Sequence, residues 1–322
     1  MKEFNKTNIL ITGGTGSFGQ AAVEYLLKHS KLNKLIIYSR DENKQFEMQN
    51  KIKDQRLRFF LGDVRDQVRL EMALNEVDFV IHAAALKHVP AAEYNPFESI
   101  KTNIYGSQSV VLASIKQKVK KVLILSTDKA CNPINLYGAT KLCSEKIFVN
   151  ANYLSGTKGT IFGVVRYGNV ISSRGSVVPY FKKMIREGKK ELPLTHHDMT
   201  RFFITLPDAV KFVMNCFSLL KRGEIFVPKM PSILISDLIK ALNPKAKIKI
   251  IGIRPGEKIH ETLCSKDESN YLYENKNHFI IYTPTLDMRH KVGKKVKENF
   301  VYSSDLKSNL NSKKIKSYLK NL

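Results

Sequence analysis

The chain has 322 residues, which at ~150 residues per domain suggests two domains or one two-lobed unit. Hydrophobic residues at 43% and charged residues at 25% make a globular mixture, which excludes a disordered or collagen-like chain; no run reaches the ~18 apolar residues of a membrane span. The formal net charge of +24 suits anionic ligands, but we read most of it as solvent-facing lysine, which bears on solubility and steering rather than on function.

The first seven residues carry no apolar signal core, so secretion is not expected. Asn8-Ile-Leu-Ile-Thr12 reads as a buried strand. Glycine-rich 13–19 follows, then a helical pattern through Ala22, Val23, Leu26 and Leu27. Further apolar strands are predicted at 34–38, 57–61, 78–82, 121–126 and 159–166, with helical segments between most of them. Short apolar strands alternating with amphipathic helices predict a parallel sheet covered on both faces. Beyond Arg166 the pattern loosens around Pro179, Pro193, Pro207, Pro228, Pro231, Pro244 and Pro255. The expected fold is therefore α/β, a Rossmann-type doubly wound parallel sheet with a smaller C-terminal substrate-binding lobe. Residues 1–165 are expected to form the dinucleotide domain, to which later segments can return. Residues 166–322 are expected to form mainly the substrate lobe. From 289 to 322 there are ten Lys or Arg and two acidic residues, a basic tail. Cys131, Cys143, Cys216 and Cys264 form no CxxC pair, which excludes a disulfide scaffold and a four-thiolate zinc site and fits a reducing cytoplasm.

Thr12-Gly-Gly-Thr-Gly-Ser-Phe-Gly19 joins the first strand to the first helix. Gly13, Gly14, Gly16 and Gly19 give the tight turn, the close approach of backbone to a pyrophosphate, and the packing of helix on strand. Thr15, Ser17 and Phe18 lie among them, and the helix N-terminus offers N–H groups and a positive dipole end. The position between strand and helix makes this a dinucleotide site rather than a bare turn. At the end of the second strand an acidic residue marks NAD and an Arg marks NADP. Ser39, Arg40 and Lys44 suit a 2′-phosphate, and Asp41 falls late for the ribose, so NADP is expected.

Ser126 and Thr127 end the fifth strand, and Tyr137 and Lys141 follow one helical turn apart, so both side chains face the same way. A neighbouring ammonium stabilises tyrosinate, which would make Tyr137 a usable base with its pKa lowered by Lys141. Asp128-Lys129, directly after the strand, stand where open α/β folds gather catalytic groups.

These motifs, with Tyr38-Ser-Arg-Asp41, Gly62-Asp-Val-Arg65, His82-Ala-Ala-Ala-Leu-Lys87, Arg166-Tyr-Gly-Asn-Val170, Met199-Thr-Arg201, Phe226-Val-Pro-Lys229 and Ile253-Arg-Pro-Gly-Glu-Lys-Ile-His-Glu261, resemble the extended short-chain dehydrogenase/reductases that act on nucleotide sugars. Within them the chain resembles the inverting UDP-N-acetylglucosamine 4,6-dehydratases of pseudaminic acid and related surface-glycan synthesis. Retaining hexose dehydratases carry Asp-Glu where this chain has Asp128-Lys129. The resemblance implies oxidation at C4, elimination of water across C5–C6, and return of hydride to C6. It implies that Lys129 takes the C5 proton and that Asp128 assists the C6 hydroxyl. A lysine base acts when neutral, so a pKa depressed by burial or by nearby cations is expected for Lys129.

The same resemblance places Asp63 and Val64 beside the adenine. Ala83 and Lys87 would lie along the cofactor and sugar, with Asn169, Val170 and Arg174 beside the nicotinamide and substrate. Arg254 would hold the diphosphate, Glu257 the uridine ribose, and Ser126, Thr127 and Thr195 the substrate. Thr195-His196-His197-Asp198 departs from relatives that carry an acidic residue after that threonine, which bears on local substrate contacts. Adjacent histidines rarely converge on one ion, and no metal is expected. The expected partner is UDP-N-acetylglucosamine, with neither nucleic acid nor membrane, in a cytoplasmic homo-oligomer of dimer to hexamer size. The alternatives are a UDP-hexose 4-epimerase of the same fold, which would not need Asp128 and Lys129, and a non-catalytic nucleotide- or nucleic-acid-binding Rossmann protein.

Overall fold

The computed structural model describes residues 1–171, 173, 175–283, 291–305, 310, 315, 316, 318 and 319. The first half runs β1 (Asn8–Thr12), α1 (Ser17–His29), β2 (Lys34–Ser39), α2 (Glu42–Lys51), β3 (Leu57–Leu61), α3 (Gln67–Ala73) and β4 (Phe79–His82). α4 (Val89–Tyr94), α5 (Pro96–Ile100), a π-helical turn (Lys101–Tyr105) and α6 (Gly106–Lys116) lead to β5 (Lys121–Thr127), α7 (Leu136–Ser155) and β6 (Ile161–Tyr167). The second half carries β7 (Asn169–Val170), α8 (Val177–Arg186), β8 (Glu191–Leu194), β9 (Thr200–Ile204), α9 (Leu206–Leu219), β10 (Ile225–Pro228), β11 (Ser232–Leu234) and α10 (Ile235–Leu242). It ends with β12 (Lys247–Ile250), β13 (Thr262–Cys264), β14 (Leu272–Glu274), β15 (His278–Ile281), β16 (Lys294–Lys295) and β17 (Tyr302–Ser303).

The large sheet has the order β16-β14-β15-β10-β6-β5-β4-β1-β2-β3. From β3 to β10 the neighbours pair in parallel, and β15, β14 and β16 extend the sheet antiparallel. Each strand predicted from apolar runs lies in the parallel part, because strands buried on both faces read as near-continuous Val, Ile and Leu. Strand order reverses between β1 and β4, and the crevice at their carboxyl ends is where open α/β sheets hold ligands.

The chain after β6 contributes to two places. β10, β14, β15 and β16 return to the large sheet. β7, β9 and β11 form a small sheet, and β8 pairs with β12. A second hydrophobic core there gathers Ile171, Phe181, Leu192, Phe203, Ile233 and Leu238. Two caps fix the helices that flank the crevice. The Asp41 carboxylate accepts from the Lys44 N–H at 3.0 Å to start α2, and Asn135 accepts from the Gly138 N–H at 2.8 Å to start α7. Such a cap satisfies an N–H that the helix itself leaves unpaired.

Candidate active site

The glycine turn opens the site. Gly13 has φ +65°, and a Cβ there would lie 2.9 Å from the Ala84 backbone. A Cβ on Gly19 would lie 2.3 Å from the Gly14 carbonyl oxygen, so backbone fills the space that side chains would need. The Gly13 N–H donates to the Tyr38 carbonyl at 2.8 Å and the Ala83 N–H to the Thr12 carbonyl at 3.2 Å, which ties the turn to β2 and β4. A cavity of about 290 Å³ opens here, lined by Thr15, Gly16, Ser17, Lys44, Lys87, His88 and Gly175. The turn, the helix N-terminus behind it and the lysines around the cavity fit a dinucleotide diphosphate.

Ser39 ends β2 and Arg40 follows it. The Ser39 hydroxyl accepts from Gln45 Nε2 at 3.0 Å. Arg40 is half exposed, with Nη1 3.4 Å from Asp63 Oδ2. Asp63 also binds Arg65 at 2.6 Å; burial pushes its carboxyl up, and Arg65 and Arg40 outweigh that and hold it below its ordinary value. Val64 is buried, and its Cγ2 lies 2.9 Å from where a Cβ on Gly106 would stand. The Asp41 carboxylate caps α2 and pairs with the Lys44 ammonium.

At the end of β5 the chain turns through a 3₁₀ segment, Asp128–Ala130. Asp128 is fully buried, and its Oδ1 accepts from the Thr127 hydroxyl at 2.9 Å and from Lys129 Nζ at 3.0 Å. Its Oδ2 is buried without a hydrogen-bond partner among the described residues. Burial pushes the Tyr137 phenol up to about 12, against the pull of the Lys129 ammonium and the Thr127 hydroxyl. This corrects the expectation that Lys141 lowers the phenol. Lys141 is itself buried and bears on other groups: burial draws its ammonium down to about 8, and Glu145 pulls it back up. His82, whose pKa falls to about 3 through burial and the Lys141 charge, is hydrogen-bonded to Thr12 at 2.7 Å.

A second correction concerns Lys129. Burial opposes its ammonium, but the Asp128 and Glu261 carboxylates outweigh burial and the repulsion of Arg201, so its pKa is raised rather than depressed. Glu261 Oε1 lies 3.3 Å from Lys129 Nζ and 3.9 Å from Arg201 Nε, and its Oε2 lies 4.0 Å from Lys258 Nζ. Glu261, Arg201 and Lys258 sit in motifs visible in the sequence, but nothing in their spacing shows that they meet Lys129.

Ser126 donates its hydroxyl to the Glu145 carboxylate. Glu145 also grips the fully buried Arg166 through Nε at 3.0 Å and Nη2 at 2.6 Å, and Arg166 reaches Glu268 at 2.9 Å. On the substrate side, Arg254 and Glu257 stand on a turn in which the Glu257 N–H donates to the Arg254 carbonyl at 3.0 Å. Gly256 in that turn has φ +79° and accepts from Asn135 Nδ2 at 2.7 Å, which docks the turn over the start of α7. Asn169 and Val170 form β7 beside β9, and Thr195 is buried after β8. Arg174 lies outside the described residues. Among the described residues no three His, Cys, Asp or Glu side chains gather to hold a metal ion, and no helix is long and apolar enough to cross a membrane.

Residues 9–283 match the family model described as polysaccharide biosynthesis protein. A UDP-N-acetylglucosamine 4,6-dehydratase (inverting) of Campylobacter jejuni subsp. jejuni serotype O:2 is 58% identical over 313 residues, covering 94% of this chain and 93% of its own. A UDP-glucose 4-epimerase of Rickettsia canadensis is 43% identical over 272 residues, covering 82% of this chain and 80% of its own. Among solved structures, Pen from Bacillus thuringiensis superposes with a TM-score of 0.93 at 38% identity, covering 99% of this chain and 98% of its own.

Proposed function

The chain belongs to the polysaccharide biosynthesis protein family of extended short-chain dehydrogenase/reductases, and we propose that it is a UDP-N-acetylglucosamine 4,6-dehydratase that inverts C5. The observation that carries this reading is the Asp128–Lys129 pair, 3.0 Å apart at the end of β5, with the Lys129 charge acting on Tyr137. A 4-epimerase needs a base at C4 but no acid–base pair at C5 and C6.

The glycine turn from Gly13 to Gly19, with Ser39 and Arg40, would hold a nicotinamide dinucleotide, which would supply a hydride acceptor for C4 and a donor for C6. Tyr137 takes the C4 hydroxyl proton, and the Lys129 ammonium and Thr127 hydroxyl favour the phenolate that this requires. The C4 ketone acidifies the C5 proton. Lys129 passes one proton to Asp128, and its neutral amine then takes the C5 proton. Protonated Asp128 gives its proton to the C6 oxygen. The C5–H pair becomes the C5=C6 bond and the C6–O pair leaves with water. The Lys129–Asp128 pair ends with the charge it began with, so a raised lysine pKa is compatible with a lysine base. With hydride returned to C6, C5 takes a proton from solvent on the face opposite Lys129 while Tyr137 gives up to solvent the proton it took from the C4 hydroxyl, which leaves every group as it began and gives the inverted UDP-2-acetamido-2,6-dideoxy-β-L-arabino-hex-4-ulose.

For the cofactor we propose NADP. Asp41 is committed to α2 and Lys44, while Arg40 stays half exposed at the end of β2. The product would serve pseudaminic acid or a related surface glycan. Residues 1–165 would carry the dinucleotide and most of 166–322 the nucleotide sugar. We further propose a cytoplasmic homo-oligomer, in line with the exposed Tyr94, Phe97, Tyr105 and Leu154. The rickettsial relative favours 4-epimerisation as the second reading. Mass spectrometry of UDP-N-acetylglucosamine incubated without added cofactor separates the two: loss of one water is expected, and unchanged mass with inversion at C4 favours the epimerase.

A further inference from the structure

Lys129 is held by two carboxylates, and only one of them sits in the strand-end motif. Glu261 comes from the segment that follows the Arg254 turn. It is 2% exposed, its Oε1 lies 3.3 Å from Lys129 Nζ, and its Oε2 is buried without a hydrogen-bond partner among the described residues. Its backbone is fixed from both sides: the Glu261 N–H donates to Ser304 Oγ at 2.9 Å, and the Glu261 carbonyl accepts from the Ser304 N–H at 2.8 Å. Ser304 is in turn hydrogen-bonded to Thr200 on β9 at 2.7 Å. This carboxylate is therefore placed by the scaffold rather than drawn in by its lysine.

The cations near Glu261 are largely occupied elsewhere. Arg201 donates to the carbonyls of Thr200 at 2.7 Å, Ile259 at 2.9 Å and Lys258 at 2.8 Å, and its Nε stays 3.9 Å from Glu261. Lys258 donates to the Cys131 carbonyl at 2.9 Å and stays 4.0 Å from Glu261. Lys129 is the cation nearest to this carboxylate among the described residues.

We propose that Glu261 is a positioning residue of the dehydration step, holding the Lys129 amine in place and stabilising the ammonium that forms as Lys129 takes the C5 proton. The inference rests on the dehydratase reading. It separates two duties that a single carboxylate could not combine. Asp128 exchanges a proton with Lys129 and with the C6 oxygen, and so changes charge during the step. Glu261 keeps its charge throughout, and so favours Lys129 taking up the C5 proton when Asp128 has been neutralised. The groups that face Lys129 are Asp128 on its own turn, Tyr137 on α7, Arg201 on β9, and Glu261 with Lys258 behind it. Of the two carboxylates Glu261 lies the farther from the amine, at 3.3 Å against 3.0 Å for Asp128.

The test uses the full-length protein with its bound cofactor and UDP-N-acetylglucosamine, comparing wild type with Glu261→Gln. Two rates are read: reduced nicotinamide formed in a single turnover, which reports C4 oxidation, and solvent deuterium entering C5 in deuterium oxide. In the Gln variant deuterium entry falls on the order of 10-fold, less than the ~10²–10⁴-fold of losing a positioned base. C4 oxidation stays within about twofold, so the two rates separate. Equal loss of both rates, or no loss of either, overturns the proposal. If the Gln variant does not fold, Glu261→Asp, which keeps the charge and shortens the reach, is read in the same way and shows a smaller split in the same direction. Failure of the dehydratase reading itself is distinguishable, because wild type would then release no water from this substrate.

Discussion

Lys129 Nζ lies 3.0 Å from Asp128 Oδ1, and the other oxygen of that fully buried carboxylate has no hydrogen-bond partner among the described residues. A buried carboxylate oxygen left unpaired is costly. In the proposed dehydration it would give Asp128 a place to hold a proton taken from Lys129 on its way to a leaving hydroxyl. The pair can therefore act as acid and base together without a change in its own net charge.

Tyr137→Phe is expected to abolish C4 oxidation, because it removes the phenol oxygen and leaves the ring. Single-turnover absorbance of the reduced nicotinamide should fall by ~10²–10⁴-fold. Unchanged formation of reduced cofactor would assign the C4 base to another group. With the resting phenol pushed up to about 12, C4 oxidation in wild type should speed up as pH rises above neutrality.

Arg40→Ala should weaken NADP more than NAD, because the charge-assisted contact it removes is worth ~1.5–3 kcal/mol. Titration calorimetry of both cofactors checks this. Equal weakening would mean that Arg40 does not touch the 2′-phosphate.

Much of this was readable beforehand, and the part that was not has a physical reason. The glycine turn and the six parallel strands follow from local pattern, since a tight turn needs glycine and doubly buried strands need apolar runs. Asp128, Lys129, Tyr137 and Lys141 lie within fourteen consecutive positions, so their proximity was visible in the sequence. Their electrostatics were not. Tyr137 and Lys141 share a helix face, yet Lys129 is the lysine whose charge acts on the phenol, while Lys141 is balanced by Glu145. Glu261 reaches Lys129 through pairing of β13 with β17 and through Ser304, contacts distant in sequence that no periodicity reveals.

Arg166→Met should destabilise the fold by ~3–5 kcal/mol, because it leaves the buried Glu145 and the partly buried Glu268 without their shared guanidinium. Urea unfolding of the full chain measures it. A loss below about 1 kcal/mol would show that the two carboxylates find other partners or take up protons.

His82 should contribute to acid sensitivity. Its folded pKa is about 3, below its ordinary 6.5, so below 6.5 the unfolded chain binds a proton that the folded chain refuses. The stability it contributes is full above about 6.5 and is lost as pH falls towards 3, at up to ~1.4 kcal/mol per pH unit. Urea unfolding between pH 7 and pH 5 should show a shallower loss in His82→Gln than in wild type. Identical slopes would mean that His82 is protonated in the fold.

The most direct test of the account is proton NMR of UDP-N-acetylglucosamine turned over in deuterium oxide by wild type and by Lys129→Met. Wild type should give a 4-keto-6-deoxy sugar with deuterium at C5 and inverted configuration there, while Lys129→Met should leave C5 protonated, with water loss blocked and reduced nicotinamide accumulating. A wild-type product that keeps its C6 hydroxyl and differs only at C4, or wild-type deuterium entry at C5 in the Lys129 variant, would contradict it.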